Sequence, residues 1–437
     1  MKSPVFLLLS LTILLANLTA QDTWQALPGA PNFIGPFSKL DDVDFVDANT
    51  GWTLNATGKV FKTTDGGATW TEKADLGEFL RCIKFVDAQV GYVASLRGSF
   101  GGPPSNAKIF KTTDGGDTWT DLTVAISPEP IGVCGLSVVD AQTVYGCGAF
   151  YGPARLYKSL DGGTSWTNID LSAYATSVVD LHFFSPELGF VVGAGPAGSG
   201  GGLILKTTDG GDTWEVVHST GIGSDLLWKI QALDRDHLYA SIAGVSMVHG
   251  ARILISADGG DTWTSKLVAE GEVHLQGVGF LDERRGFAGG FFDGVYATED
   301  GGDNWELIEV GANYNRFQKI DDTLMYASGH TIYRYTGSPD TTITSAQELF
   351  PAPNYGLTVA PNPARDLVNV SYHLGNATHL QLALYDAQGR EVRSFYRGWH
   401  PAGTFERSQP VGELPPGRYL LALLSREGDI LTQVLIE

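Results

Sequence analysis

The sequence predicts an all-β protein: a seven-bladed β-propeller, closed by its own N-terminal strand, followed by a small C-terminal β-sandwich. Three observations predict it. The string KTTDGGATW, Lys62 to Trp70, recurs five more times. A second string, such as FVDANTGW from Phe45, occurs seven times. After Gly337 the repeats stop and the composition changes.

The repeated units come first, because a missed repeat misassigns the whole fold. The first string returns as KTTDGGDTW at Lys111, KSLDGGTSW at Lys158, KTTDGGDTW at Lys206, ISADGGDTW at Ile255 and ATEDGGDNW at Ala297. Its period is roughly 40–50 residues, that of a four-stranded propeller blade. The second string lies upstream of each copy: FVDAQVGY at Phe85, VVDAQTVY at Val138, FFSPELGF at Phe183, ALDRDHLY at Ala232 and FLDERRGF at Phe280. A seventh copy, KIDDTLMY at Lys319, is followed by no box. The missing half is at the other end, where Asp22-Thr23-Trp24 matches the close of boxes such as Asp117-Thr118-Trp119. The N-terminus therefore supplies the outer strand of the last blade and hides edges that an open sheet exposes. Each unit reads as four short strands between Gly, Asp and Asn turns, and no helix is predicted.

The box itself reads as a turn between the two outer strands. Its glycines take positive φ without a Cβ penalty. Asp65 accepts hydrogen bonds from turn N–H groups, and Trp70 buries its indole over the hairpin. The same roles fall to Asp114 and Trp119, Asp161 and Trp166, Asp209 and Trp214, Asp258 and Trp263, and Asp300 and Trp305. DGGD also resembles an acidic calcium loop. However, calcium takes six to eight oxygen ligands, one box offers two carboxylates at best, and the first has Ala68 at the second position. The reading is therefore structural, with no metal and no cofactor.

These residues resemble the Asp-box, or bacterial neuraminidase repeat, in its shorter spacing of Asp65, Gly67 and Trp70. Families that share it include sialidases, xyloglucanases, sortilin-like receptors and photosystem II assembly-factor propellers. The resemblance runs from about Asp22 to Gly337. It implies the turn and the propeller and is nearly silent on activity.

Composition narrows the function. A net charge of −20 argues against nucleic-acid or anionic-membrane partners, which need basic patches. The first twenty residues, with Lys2 before an apolar run and Ala20 before Gln21, read as a secretory signal peptide. No later run is long enough to span a bilayer. Cys82, Cys134 and Cys147 allow at most one disulfide and read as core thiols. The histidines show no i, i+4 pair and there is no CxxC, so no zinc site is expected. Gly193-x-Gly195-x-x-Gly198 leads into a strand, not a helix, and is no dinucleotide fingerprint.

Four consecutive blades carry long connections between their second and third strands: from Ser95, Gly148, Gly193 and Ala243. Such loops, on the face opposite the boxes, are where binding is expected. The candidate binding residues are Arg81, Arg97, Tyr151, Arg155, Trp228, His249, Arg252 and Arg316, with Phe100 beside them. An arginine and aromatic mix suits carboxylates, glycans or a peptide. No catalytic residue is assigned. A sialidase-like reading lacks the Phe/Tyr-Arg-Ile-Pro motif and an arginine cluster, and the resemblance to xyloglucanases implies two propellers where this chain has one. The expected function is a secreted or cell-surface non-catalytic binding or assembly module. The alternative is a glycoside hydrolase acting on extracellular glycans, and paired carboxyls at glycosidase spacing would separate the two.

Residues 338–356 read as a Pro/Ser/Thr-rich linker and 357–437 as a sandwich domain. Pro361-Asn362-Pro363, Leu384-Tyr385-Asp386, Gly389-Arg390, Leu414 and Gly417-Arg418-Tyr419 resemble the type A sorting domain of the type IX secretion system. Gln433 stands where that family often has Lys. The resemblance implies a Bacteroidota-type host, the secretion machinery as a partner of the tail, and an unidentified extracellular protein or glycan as partner of the propeller.

Overall fold

The computed structural model describes residues 23–33, 39–97, 106–196, 200–243, 249–337, 356–375, 378–385, 391–425 and 428–436. The expected signal peptide, Asp22, Phe100, most of the expected linker and Gly389 lie outside the described residues. The chain divides into two units, Met1–Pro339 and Asp340–Glu437.

In the first unit, seven four-stranded antiparallel sheets follow one another in chain order. The first sheet runs Leu40–Phe45, Gly51–Asn55, Lys59–Thr63 and Thr71–Asp75. The inner strands of the next six are Phe79–Phe85, Gly135–Val138, Ser177–Phe183, Leu227–Ala232, Leu275–Phe280 and Arg316–Lys319. Each inner strand touches the next, and the seventh touches the first, so the sheets close a ring. The fold is a β-propeller. Closure uses the predicted exchange: Thr23–Ala26 pairs antiparallel with Ile332–Thr336, with Trp24 opposite Tyr335. The inner strands are buried nearly throughout, even where they carry charges such as Asp41, Asp42 and Asp180, and the outer ones are largely exposed.

The box is the turn before each outer strand. Gly66 and Gly67 stand at φ +68° and +86°. Thr69 donates to Asp65 from its backbone N–H at 2.9 Å and its hydroxyl at 2.6 Å, and Thr63 adds a third bond at 2.8 Å. Trp70 Nε1 donates to the Gly67 carbonyl at 3.2 Å. The other five boxes repeat this pattern. Neighbouring blades are tied through it: Trp52 Nε1 donates to Gly115 O at 3.0 Å, and the Tyr92 hydroxyl to Gly162 O at 3.1 Å.

The second unit packs a three-stranded sheet and a four-stranded sheet around one core. In Leu367–Leu374 burial alternates, with Val368, Val370, Tyr372 and Leu374 inward. They meet Leu380, Leu382, Leu421, Leu423 and Val434. Within the sorting motif, Asn362 accepts from Leu435 N–H at 2.8 Å, and the Tyr419 hydroxyl donates to Pro415 O at 2.8 Å. Cys82, Cys134 and Cys147 are buried free thiols.

Candidate functional site at the loop end of the channel

Seven inner strands converge on the axis, so equivalent positions of the repeat meet there. Three residues before the first residue of each second string stand Asp42, Cys82, Gly135, Asp180, Lys229, Gly277 and Arg316. Arg316 reaches across this ring. Its Nε donates to Asp42 at 2.9 Å, and its two terminal nitrogens donate to the two Asp180 oxygens at 2.9 Å each. Both carboxyls are fully buried. Burial alone would raise their pKa, but the Arg316 charge, helped by nearby lysines, outweighs it and both are held below the ordinary value. Lys229 is 3.9 Å from Asp180, and its ammonium has no hydrogen-bond partner. Burial and the Arg316 charge lower its pKa.

This plug separates two cavities. The one toward the box face, about 270 Å³, is lined by Lys84, Ser137, His182, Gln231 and Gln318 among others. Lys84 donates to Asp44 at 2.6 Å there, and burial pushes His182 down to about 4. Gln231 and Gln318 each clamp the backbone of the following sheet. These side chains are spent on joining blades.

The cavity on the long-loop face measures about 390 Å³. Its floor is charged and its walls are aromatic. Lys39 and Arg81 are 3% and 5% exposed. Arg81 donates to Asp41, which also lies 3.9 Å from Lys39. Lys39 donates to Asn315 at 2.9 Å and to Gln276. Burial lowers the Lys39 pKa far below the ordinary value, against the pull of Asp41. Arg81 Nε has no partner. The cations sit under rings: Lys39 lies 4.5 Å from the Phe291 centroid, and Arg81 5.8 Å from that of Trp228. Trp228 is fixed by a 3.0 Å bond to Asn315, and Phe150 leans on it at 5.8 Å. Phe150 and Tyr151 are exposed at the rim. The arrangement offers aromatic faces above the buried Arg81 guanidinium and Lys39 amine, donors that suit an apolar group carrying an anion.

Of the residues expected from sequence, the structure brings Arg81, Tyr151 and Trp228 to this cavity. Arg316 lies in the plug and lines the opposite cavity. Arg155 pairs with Asp170 at 3.1 Å, and Arg252 with both Asp225 oxygens at 2.8 Å, so both brace their own blades. His249 is exposed in a turn away from the cavity lining. Arg97 ends its strand, and its side chain lies outside the described residues. Sequence reasoning missed Lys39, Asp41, Phe150 and the Asp42–Arg316–Asp180 bridge. Superposing the seven second strings and reading the columns before them would have found most of these. Among the described residues no cluster is arranged to hold a metal ion, and no helix is long and apolar enough to cross a membrane.

Residues 22–167 match the family model described as photosynthesis system II assembly factor YCF48, and residues 358–437 match that of the secretion system C-terminal sorting domain. The chain is a β-propeller whose first part matches that assembly-factor model, followed by a secretion-sorting tail. The tail marks this propeller for type IX export to the cell surface or extracellular space and implies a partnership with the secretion machinery. No curated protein matches the chain. Among solved structures, YCF48 from Cyanidioschyzon merolae is 19% identical, with TM-score 0.54, covering 72% of this chain and 98% of its own. A structure of YCF48 bound to D1 peptide is 16% identical, with TM-score 0.53, covering 72% and 97%. The GH74 xyloglucanase from Xanthomonas campestris is 13% identical, with TM-score 0.54, covering 94% and 81%. At these identities the likeness shows the fold alone.

Proposed function

We propose that this exported propeller is a non-catalytic binding or assembly module, and that its ligand enters the loop-face cavity as an apolar group bearing a carboxylate. The observation that carries the reading is the charged floor under aromatic walls. In a chain of net charge −20, the Arg81 guanidinium, the Lys39 amine and the Asp41 carboxylate are buried beneath Trp228, Phe150 and Tyr151. A further support is the state of the central carboxyls. Asp42 and Asp180 are held ionised by one guanidinium, a poor arrangement for a glycosidase, which needs one carboxyl protonated. The structure of YCF48 bound to D1 peptide adds that a propeller of similar fold takes a peptide, which we extend to an extracellular peptide here.

The test is binding of the purified propeller to a panel of acidic peptides and glycans, with cleavage followed in parallel. Phe150→Ala and Tyr151→Ala are exposed changes and should each weaken binding by about tenfold, the scale of a lost aromatic contact. Glycan cleavage that survives purification and disappears in Asp180→Asn would replace this reading with the hydrolase.

A further inference from the structure

The wall that faces the seventh tryptophan differs from its six counterparts. In all six intact boxes the tryptophan Nε1 donates to the carbonyl of the glycine three residues earlier, at 3.0–3.2 Å. The seventh tryptophan, Trp24, is 5% exposed and its Nε1 has no partner. It lines a cavity of about 560 Å³, larger than either channel cavity described above. Phe287, Ala297, Glu299, Glu306 and Tyr335 line the same cavity.

In other blades the second box glycine packs against an aromatic of the preceding sheet: Gly116 on Trp52, Gly163 on Tyr92, Gly260 on Phe190. Phe287 is the equivalent residue of the sixth sheet. That wall can also donate to the turn. The Gly162 carbonyl accepts from the Tyr92 hydroxyl at 3.1 Å and from Lys111 Nζ at 2.6 Å. Phe287 and Ala297 stand at those two positions in the sixth sheet, and neither side chain can donate.

The sixth sheet supplies acceptors instead. Glu299 stands where the other boxes have Thr64, Thr113, Leu160, Thr208 and Ala257, and Glu306 joins it in the lining. Both are exposed. Arg285, also in the lining, is spent on Asp282 at 2.7 Å and on the Asp322 carbonyl at 2.9 Å. The cavity thus suits an occupant with three features: an acceptor for the Trp24 N–H, an apolar stem against Phe287, Ala297 and Tyr335, and a positive charge for the two glutamates. A lysine or arginine residue within a peptide has all three, its own backbone carbonyl being the acceptor.

We propose that this cavity binds a lysine or arginine residue of an extracellular peptide. It is a second site, opposite in charge preference to the loop-face cavity and independent of how that cavity is read. The methylenes of the bound side chain lie against the rings, its cation meets Glu299 and Glu306, and its carbonyl accepts the Trp24 N–H. The cation comes from another molecule, because the stretches that adjoin the cavity in sequence, 3–22 and 337–364, contain no lysine or arginine.

The test titrates the blocked peptide acetyl-Gly-Lys-Gly-amide into the full chain, with the tryptophan indoles isotope-labelled for NMR. The Trp24 signal is the one that Trp24→Phe removes. It should move and saturate as its N–H gains an acceptor. The same peptide with norleucine for lysine should bind about tenfold more weakly, the scale of two partly exposed charge contacts. Glu299→Gln with Glu306→Gln should bring the lysine peptide down to that level. A Trp24 signal that does not move, equal binding of the norleucine peptide, or unchanged binding in the glutamine double variant overturns the proposal. Butylamine binding as tightly as the lysine peptide overturns it too, since the site would then hold an amine and not a peptide. The double variant changes only exposed residues. Calorimetric titration of that variant against the unaltered chain decides the question if Trp24→Phe does not fold.

Discussion

Arg316 shows how much one side chain can organise. Two buried carboxylates from the first and fourth sheets would repel each other without it. The guanidinium is planar and always charged, so it satisfies one carboxylate with two bonds and the other with one. Breaking a buried pair from one side leaves charge without compensation. Arg316→Ala is therefore expected to cost about 3–5 kcal/mol, measured by urea unfolding. Arg316→Lys should recover only part of it, because an ammonium cannot span both partners. Full stability in Arg316→Ala would mean that the plug is held by packing alone. This bridge was not legible in the linear sequence. The sequence alone places Arg316 among the loop-face ligand residues, because nothing local shows that positions 42, 180 and 316 meet on an axis. The information is in the repeat, since all three stand three residues before their second string.

At the scale of the element, the box was legible because its constraints are local. A positive φ at Gly66 and Gly67, a hydroxyl at Thr63 and a carboxylate at Asp65 lie within five residues. The hydrogen bonds that hold the turn also hold the acid. Asp65, Asp114, Asp209 and Asp300 are lowered to about 2, chiefly by bonds from the hydroxyl or amide side chain and backbone N–H four residues on. A folded-state value below the unfolded one, near 3.9, means that folding favours the ionised form. The stabilisation is fully present above about pH 4 and is lost as pH falls through the folded value near 2. Melting temperature should therefore fall between those limits, and Asp65→Asn should flatten its share of that fall. Because hydrogen bonds and not distant charges cause the shift, added salt should leave the slope nearly unchanged. A slope that disappears in salt would reassign the effect to net charge.

At the scale of the molecule, the chain holds separate cores, because each unit buries its own apolar face. The propeller spreads its core around the ring in successive inter-blade clusters. The sorting domain gathers Val368, Leu382, Leu421 and Val434 into one sandwich centre. This division was legible from texture, since the boxes stop before a Pro/Ser/Thr-rich stretch and alternation resumes beyond it. The cores predict independent stability. Calorimetry of the full chain should resolve two transitions, and deletion of residues 338–437 should remove one while leaving the propeller's midpoint in place. The same deletion, expressed in the native host, should leave the propeller inside the outer membrane, since the sorting domain is what directs type IX export. The two readouts separate folding from routing. A propeller that melts lower without its tail needs the tail as a folding partner. A propeller that still reaches the surface is exported by a signal other than the sorting domain.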